Sequence, residues 1–224
     1  MRTSGRKASG RKAPGRAALS DAERTVAWQT ASLLLGYPDE ELFARRALLR
    51  EAVAALPAPV GGPLGRFLDH LDATAPSALA ADYVATFDHR KRCCPYLTYY
   101  AYGDTRKRGM ALLRFKHAYR ATGLVLDDGE LPDHLAVVLE FAATGDAEQG
   151  RRLLTEHRAG LELLGLALIE ADSPWAAVLE AVSATLPPVS GRDHAAVARL
   201  AAEGPPEEDV GLEPYLYGTP EVRS

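Results

Sequence analysis

Residues 83–109 read YVATFDHRKRCCPYLTYYAYGDTRKRG and hold both cysteines of the chain, five of its nine tyrosines and six basic residues. We predict that two helices meet inside this stretch. The first carries Tyr83 and Phe87, and the second begins at Pro95, because proline is favoured in a first helical turn. Spacing of i, i+3 and i+4 places three rings on one face of the second helix, namely Tyr96, Tyr99 and Tyr100.

The second helix is predicted to end at Gly103, and Asp104 is predicted to cap a basic helix over residues 105–122. An aromatic face beside dense positive charge is typical of a partner-binding surface, because tyrosine and arginine are enriched among interface anchors. Core packing remains the alternative for the rings, and a solvated face remains the alternative for the charges. The predicted inward residues of the basic helix are Met110, Leu113 and Ala118.

The composition favours an all-α protein. Of the 224 residues 47% are apolar, mostly alanine and leucine, with a single isoleucine. Strands prefer β-branched residues, so their scarcity favours helices. No run reaches the roughly 18 apolar residues of a membrane-spanning helix, and no secretory signal is evident. Because two adjacent cysteines form no disulfide framework, the cytoplasm is the expected compartment.

Capping residues and prolines mark the remaining helices. Ser20 and Glu23 form a capping box that opens a helix ending at Gly36, and Asp39 caps the next helix. Residues 57–65 are predicted to form a loop. Further helices are predicted over residues 66–74, 77–87, 132–144, 146–171, 174–186 and 191–202. We therefore expect a single-domain helical bundle of about eight to ten helices.

Charge divides the chain into three parts. Residues 1–18 form a basic, Gly- and Ser-rich segment that we predict to be a disordered tail. Residues 19–202 form the predicted helical domain, and residues 203–224 form an acidic, proline-rich tail. Residues 88–120 carry nine basic residues against two acidic ones, although the net charge of the chain is −4. One face is therefore expected to be basic on an acidic body.

Catalytic and metal-binding constellations are weak in this sequence. Cys93 and Cys94 beside His89 lack the separated ligand pairs of structural zinc, and two half-buried thiols at a helix junction are the favoured interpretation. A cysteine nucleophile with His117 or His134 as its base is an alternative without a supporting motif. The sequence has neither a phosphate-binding P-loop nor a dinucleotide fingerprint.

The segment Glu130–Leu135, ELPDHL, is the second informative stretch. Asp133 lies in a first helical turn, where the helix dipole favours a carboxylate. One interpretation is that Asp133 and His134 tie down the preceding loop. The other is that they order the rim of a binding groove.

Two motifs resemble those of a known family. The segment from Tyr83 to Leu113 follows Y-V-x-x-F-D-x-R-x-R-C-x-x-Y-L-T-Y-Y-x-x-G-D-T-R-x-R-G-x-A-L-L, which is similar to the signature of NarJ-type nitrate reductase assembly chaperones (delta subunits). The segment Glu130–Phe141 resembles the E-x-P-D-H stretch of the broader TorD-like redox-enzyme chaperones, and Leu34–Pro38 also fits. The resemblance covers about residues 20–190.

This resemblance implies an all-helical TorD-like chaperone that is not an enzyme and has no cofactor of its own. It implies that the protein binds the N-terminal peptide of the apo catalytic (alpha) subunit of respiratory nitrate reductase. The client is held competent for insertion of the molybdenum cofactor and for assembly of the membrane complex. We expect a monomer or weak homodimer that does not insert stably into the membrane.

We expect the client peptide to bind as a helix in a groove lined by aromatic rings. A nucleic-acid-binding helical regulator that uses the basic tail and residues 105–120 is the alternative from a different class. The predicted partner-binding residues are Tyr83, Phe87, Asp88, Arg90, Arg92, Tyr96, Tyr99, Tyr100, Asp104, Arg106, Arg108, Asp133 and His134.

Overall fold

The computed structural model describes residues 18–126 and 129–204, and over these residues the chain folds into twelve α-helices without a β-strand. The helices are α1 (Asp21–Leu35), α2 (Glu40–Ala44), α3 (Arg46–Ala54), α4 (Ala58–Ala73), α5 (Pro76–Tyr83), α6 (Leu97–Tyr102), α7 (Arg106–Ala121), α8 (Leu135–Thr144), α9 (Ala147–Glu156), α10 (Arg158–Glu170), α11 (Trp175–Thr185) and α12 (Gly191–Glu203). A π-helical turn, Val84–Asp88, continues α5, and a 3₁₀ turn, Lys91–Cys93, precedes α6.

Side-chain caps confirm several predicted helix starts. The Ser20–Glu23 capping box opens α1, and Asp39 accepts a hydrogen bond from the Leu42 N–H at the start of α2. Asp146 caps α9, and Ser190 opens α12 with a second capping box. Each cap satisfies N–H groups that a helix leaves unpaired in its first turn, so these boundaries follow from local chemistry.

The predicted loop at residues 57–65 and two predicted long helices differ from the structure. Residues 58–65 of the predicted loop form the start of α4, because Val60, Pro63 and Leu64 are buried and their packing outweighs poor helix propensity. Two predicted long helices are each interrupted, at Arg45 and at His157. The ten predicted helices consequently become twelve in the described part of the chain.

The core joins the two ends of the described chain. Helix α11 lies beside α1 and α4, and two buried tryptophans link α1 to α11. Trp28 Nε1 donates to Thr185 Oγ1 at 2.9 Å, and Trp175 Nε1 donates to the Leu34 carbonyl at 2.9 Å. Buried tryptophan normally needs such a partner, so these bonds set the relative position of the two helices.

Helices α8 and α9 lie on the other side of α1, and α12 packs against the outer face of α10. None of the residues of α12 is fully buried. In the described residues no helix combines the length and the apolar character needed to cross a bilayer. The predicted tails fall almost entirely outside the described residues, and those domain boundaries stay predictions.

Candidate functional site

The two informative stretches of the sequence lie against each other. Pro95–Thr98 and Leu131–Leu135 form a short antiparallel contact, which we call the clasp, centred on the bridge between Tyr96 and His134. The Leu97 N–H donates to the Asp133 carbonyl at 3.0 Å, and the Leu135 N–H donates to the Pro95 carbonyl at 2.9 Å. The clasp therefore fixes the start of α6 against the start of α8.

Asp133 is the buried centre of the clasp, with none of its surface exposed. Its Oδ2 accepts from the Thr98 N–H at 3.1 Å and from the Thr98 hydroxyl. Arg108 reaches in from α7, donating through Nε to Thr98 Oγ1 at 3.1 Å and placing Nη2 3.7 Å from Asp133 Oδ2. Asp133 thus ties down the loop, in agreement with the first interpretation of this segment, but it precedes α8 and does not lie in its first turn as predicted.

Tyr96 does not share a helical face with Tyr99 and Tyr100. It precedes α6 with extended backbone angles, φ −93° and ψ 114°, because its backbone is engaged in the clasp. Its ring meets the His134 ring edge-on at a centroid distance of 5.2 Å, and the Arg108 guanidinium lies 5.5 Å from its centroid. The prediction that α6 begins at Pro95 was wrong for the same reason.

His134 caps α8 with its imidazole. Its Nδ1 accepts from the Ala136 N–H at 3.2 Å, so the ring is neutral with its proton on Nε2. Burial lowers the pKa of His134 despite the opposing effect of the nearby Glu130 and Asp133 carboxylates. The imidazole is therefore a neutral acceptor at pH 7.

Tyr83 and Phe87 belong to the core rather than to a groove. Their ring centroids lie 5.6 and 5.4 Å from that of Trp175, and the Tyr83 hydroxyl donates to the Leu35 carbonyl at 3.1 Å. Both side chains are less than 10% exposed. The predicted groove lined by all five aromatic residues is consequently not formed.

The start and orientation of the basic helix also differ from the prediction. Gly103 ends α6 at φ 56°, a conformation that favours glycine, but the N-cap of α7 is Thr105 and not Asp104. Asp104 instead pairs with Arg108 at 2.9 Å. Of the predicted inward residues, Met110 and Leu113 are 68% and 43% exposed. The third, Ala118, is partly buried against the core as predicted, and the fully buried residues of α7 are Ala111, Phe115 and Tyr119.

Tyr99 and Tyr100 line a real depression, which we call the tyrosine cleft, between the 3₁₀ turn, α6, α10 and α12. It encloses about 330 Å³. Its walls are mainly apolar, with Lys91, Arg92 and Glu170 as the charged members. The other lining residues are Leu163, Leu166, Ala167, Leu200 and Ala201.

The wall formed by Tyr100 is held firmly. Its hydroxyl lies 3.0 Å from both the Arg92 and the Cys94 carbonyl oxygens, so it donates within the 3₁₀ turn. Gly160 of α10 lies under the ring, and a Cβ at that position would come within 3.0 Å of it. Burial raises the pKa of the Tyr100 hydroxyl well above its ordinary value, so it stays protonated.

A second depression of about 580 Å³ lies between α10 and α11, and we call it the α10–α11 cleft. Leu166 stands between the two clefts, and Ile169, 65% exposed, lines the second. Ser173 is buried there, and its hydroxyl has no partner in the described structure. Arg66 pairs with Glu180 at one side of the cleft.

The cysteines are not arranged for catalysis. Both are free thiols, with Cys93 buried and Cys94 half-buried. Burial raises the pKa of Cys94 to about 11 and also raises that of Cys93, so both are protonated at neutral pH. Within residues 18–126 and 129–204, no group of three or more His, Cys, Asp or Glu side chains is placed to hold a metal ion.

The remaining predicted residues are spread over the surface. Asp88, Arg90 and Arg106 are exposed, and Arg92 forms a 3.5 Å exposed pair with Glu170. The sequence interpretation missed the side of the tyrosine cleft that α10 and α12 supply. The α10 sequence LELLGLALIE could have indicated this wall, because it contains more apolar residues than one buried helix face can hold, so some of them must lie on a second face.

The all-helical fold of this chain is similar to that of a maturation protein. It matches the solved structure of a redox enzyme maturation protein from Archaeoglobus fulgidus with a TM-score of 0.52 and 25% sequence identity, covering 72% of this chain and 91% of that one. The profile of the nitrate reductase delta subunit family matches residues 53–181. The chain belongs to the nitrate reductase delta subunit family.

Individual relatives agree with this placement. The chain is 32% identical over 179 residues to the nitrate reductase molybdenum cofactor assembly chaperone NarJ of Bacillus subtilis, covering 78% of this chain and 96% of that protein. It is also 32% identical over 152 residues to NarJ of Escherichia coli, covering 66% and 64% of the two chains. The nitrate reductase-like protein NarX of Mycobacterium tuberculosis is 44% identical over 160 residues, which are 71% of this chain but only 24% of NarX. None of these comparisons supports the nucleic-acid alternative.

Proposed function

We propose that this protein is an assembly chaperone that binds the N-terminal peptide of the apo catalytic subunit of a respiratory nitrate reductase. It holds that subunit competent for insertion of the molybdenum cofactor, and it performs no bond-making step. Family membership and the chaperone relatives support the class of function. The observation that carries the binding step is the tyrosine cleft, whose apolar walls and charged rim suit an amphipathic peptide helix.

The clasp supports this step indirectly. By fixing the starts of α6 and α8, it holds the 3₁₀ turn and α6 in the position at which Tyr99 and Tyr100 form the cleft wall. A preformed wall lowers the ordering cost of binding. This role explains why the motif around Asp133 can matter for binding although its residues do not face the cleft.

The expected affinity is moderate. Two or three large apolar side chains buried at about 1.5–3 kcal/mol each contribute about 3–9 kcal/mol before the ordering cost is subtracted, so a Kd of about 1 μM, or about −8 kcal/mol, is the tightest binding expected from these anchors. A chaperone must release its client, and a dissociation constant in this range permits release. Lys91 and Arg92 line the cleft together with Glu170, so an acidic residue of the peptide can pair with Lys91 or compete with Glu170 for Arg92.

The test is isothermal calorimetry with a synthetic peptide of the N-terminus of the catalytic subunit. A Tyr99→Ala variant removes one apolar wall of the tyrosine cleft and is expected to weaken binding about tenfold. An Ile169→Ala variant removes an exposed side chain from the α10–α11 cleft and is the matched control. Weakening by the control but not by Tyr99→Ala would place the peptide in the other cleft.

Salt dependence separates this function from nucleic-acid binding. Peptide binding in an apolar cleft is expected to change little between 50 and 200 mM salt. Binding of phosphates through the basic N-terminal segment together with the exposed basic residues of α7 would fall by several orders of magnitude over that range, about 10³–10⁵ for six to ten contacts. Absence of any peptide binding at both salt concentrations would contradict the proposal.

A further inference from the structure

The tyrosine cleft lies close to the point at which the described chain ends. Leu200 and Ala201 of α12 line it, and Gly204 caps that helix. At about 1.5 Å per helical residue, Ala201 is separated from Gly204 by roughly 4.5 Å along the axis. The 20 residues that follow Gly204 reach up to about 65 Å when extended, so any part of the cleft is within their span.

The sequence after Gly204 is chemically complementary to the cleft. Residues 205–224 contain five acidic residues and one arginine, and three of the acids are consecutive at positions 207–209. An apolar run, Tyr215-Leu216-Tyr217, follows them. The cleft presents Lys91 and Arg92 beside the apolar side chains of α6, α10 and α12, and it also contains Glu170, whose exposed 3.5 Å pair with Arg92 the segment must compete with. The basic N-terminal segment, by contrast, would meet like charge there.

We propose that residues 205–217 are an intramolecular ligand of the tyrosine cleft. The acidic run pairs with Lys91 and Arg92, and the Tyr215-Leu216-Tyr217 run covers Leu163, Leu166 and Tyr99. The attachment through α12 gives the segment a high effective concentration at the cleft, so weak contacts suffice for occupancy. A client peptide that uses the cleft must displace the segment, and this consequence rests on the proposed function. The proposal that the segment occupies the cleft is independent of the proposed function.

The direct test is zero-length carbodiimide cross-linking of the full-length protein without any client. An amide is expected between Lys91 Nζ and a carboxylate of Glu207, Glu208 or Asp209, identified by mass spectrometry. Lys107 and Lys116 are exposed and do not line the cleft, so they are the internal controls. The yield is expected to be independent of protein concentration. Equal yields at all three lysines, no cross-link at Lys91, or a yield that rises with concentration would each overturn the proposal.

Charge reversal tests whether the pairing is specific. Arg92→Glu leaves Lys91 available for coupling and is expected to lower the cross-link yield about two- to fivefold, as for an exposed ion pair. Combining Arg92→Glu with Glu208→Arg is expected to restore the yield. A full-length variant with Tyr215→Ala, Leu216→Ala and Tyr217→Ala is expected to increase hydrogen exchange in the first turns of α6 and in the middle of α10. Unchanged exchange there would contradict the apolar part of the proposal.

Competition by a client peptide then separates the two proposals. If the segment occupies the cleft and the client binds there, the Tyr215→Ala, Leu216→Ala, Tyr217→Ala variant binds the client peptide more tightly than the wild type. If the Lys91 cross-link forms but the client peptide fails to bind to either protein, the proposed function is wrong while the intramolecular ligand stands. If the client binds equally well to both proteins and the cross-link is absent, the intramolecular ligand is wrong while the proposed function stands.

Discussion

Asp133 of the clasp shows how one buried residue can connect three helices. Asp133 accepts two hydrogen bonds from Thr98 at the start of α6, and Arg108 brings a positive charge to it from α7. Asp133 Oδ1 and Arg108 Nη2 have no hydrogen-bond partner within the described structure, although Nη2 lies 3.7 Å from Asp133 Oδ2. A pair of buried charges depends on both members, since each one compensates the cost of removing the other from water.

Replacing Asp133 should therefore be far more damaging than replacing the exposed partner of the same arginine. Asp133→Ala leaves the Thr98 N–H and hydroxyl without their acceptor and removes the buried carboxylate that faces Arg108, and we expect a loss of about 3–5 kcal/mol in the free energy of unfolding. Asp104→Ala removes an acid whose side chain is 80% exposed, and we expect a loss within about 1 kcal/mol. Urea unfolding measures both. Similar losses in the two variants would show that the clasp does not depend on the buried charge.

His134 should make stability depend on pH. Its folded pKa is lowered by burial from the ordinary value of about 6.5, so below that pH the unfolded chain binds a proton that the folded chain does not. Stability is then complete above pH 6.5 and is lost as the pH falls toward the folded pKa, by up to about 1.4 kcal/mol per pH unit. His157 is shifted in the same direction by burial and adds to the slope.

His134→Asn separates the cap from the titration. Asparagine is a good N-cap, so the variant should keep the start of α8 intact while losing one titrating group. Unfolding by urea between pH 5.5 and 7.5 should show a shallower pH dependence in the variant than in the wild type, with the His157 contribution remaining. Parallel pH profiles for the two proteins would exclude His134 as a source of the dependence.

At the scale of helices, close approach is set by small residues. Gly150 of α9 lies against α8 so closely that a Cβ there would come within 2.3 Å of the Ala142 Cβ. Gly65 of α4 has nothing within 4 Å of the same position. The two glycines have the same propensity cost in a helix and differ only in what surrounds them.

Alanine at these two positions should therefore act in opposite directions. Gly150→Ala forces α8 and α9 apart and is expected to destabilise the protein by about 1–3 kcal/mol through overpacking. Gly65→Ala is expected to stabilise it by about 0.5–1 kcal/mol, because alanine loses less backbone entropy in a helix. Thermal unfolding followed by circular dichroism measures both changes. A destabilising Gly65→Ala would contradict the open surroundings of that residue.

The helices that the sequence predicts well are those with local start signals. In each of these helices the N-cap side chain accepts a hydrogen bond from the N–H three residues later, so a window of four residues is enough to predict the start. The caps are Ser20, Asp39, Asp146 and Ser190. The start of α4 could not be predicted in this way. There the burial of Val60 and Leu64 against distant helices overrides a run of prolines and glycines.

The candidate site was predictable only in part for the same reason. Tyr99 and Tyr100 were placed correctly on α6, whereas Tyr96 is drawn into the clasp by a segment almost 40 residues later in the chain. The opposite walls of the tyrosine cleft come from α10 and α12, about 60 and 100 residues beyond α6. Local periodicity identifies the rings but contains no information on what lies across from them.

At the scale of the whole molecule, the described chain is closed by contact between its first and its eleventh helix. The Trp28 indole of α1 donates a hydrogen bond to Thr185 of α11, and the Trp175 indole of α11 donates one to the last turn of α1. The fluorescence of either indole is therefore sensitive to separation of these two helices. Both tryptophans belong to one continuous cluster of buried residues that extends through nearly every helix. Such a core should unfold as a single cooperative unit.

Single-tryptophan variants test this cooperativity, because the chain has only two tryptophans. Trp28→Phe leaves Trp175 as the sole indole, and Trp175→Phe leaves Trp28. Each substitution removes one hydrogen bond and is expected to lower stability by about 0.5–1.5 kcal/mol. The loss should be larger for Trp175→Phe, since Thr185 still donates to the Val182 carbonyl when Trp28 is removed. Within each variant, the urea midpoints from indole fluorescence and from far-ultraviolet circular dichroism should coincide. An earlier fluorescence transition in the Trp175→Phe variant would mean that α1 separates from α11 before the remaining helices unfold, and the closed core would then not be one unit.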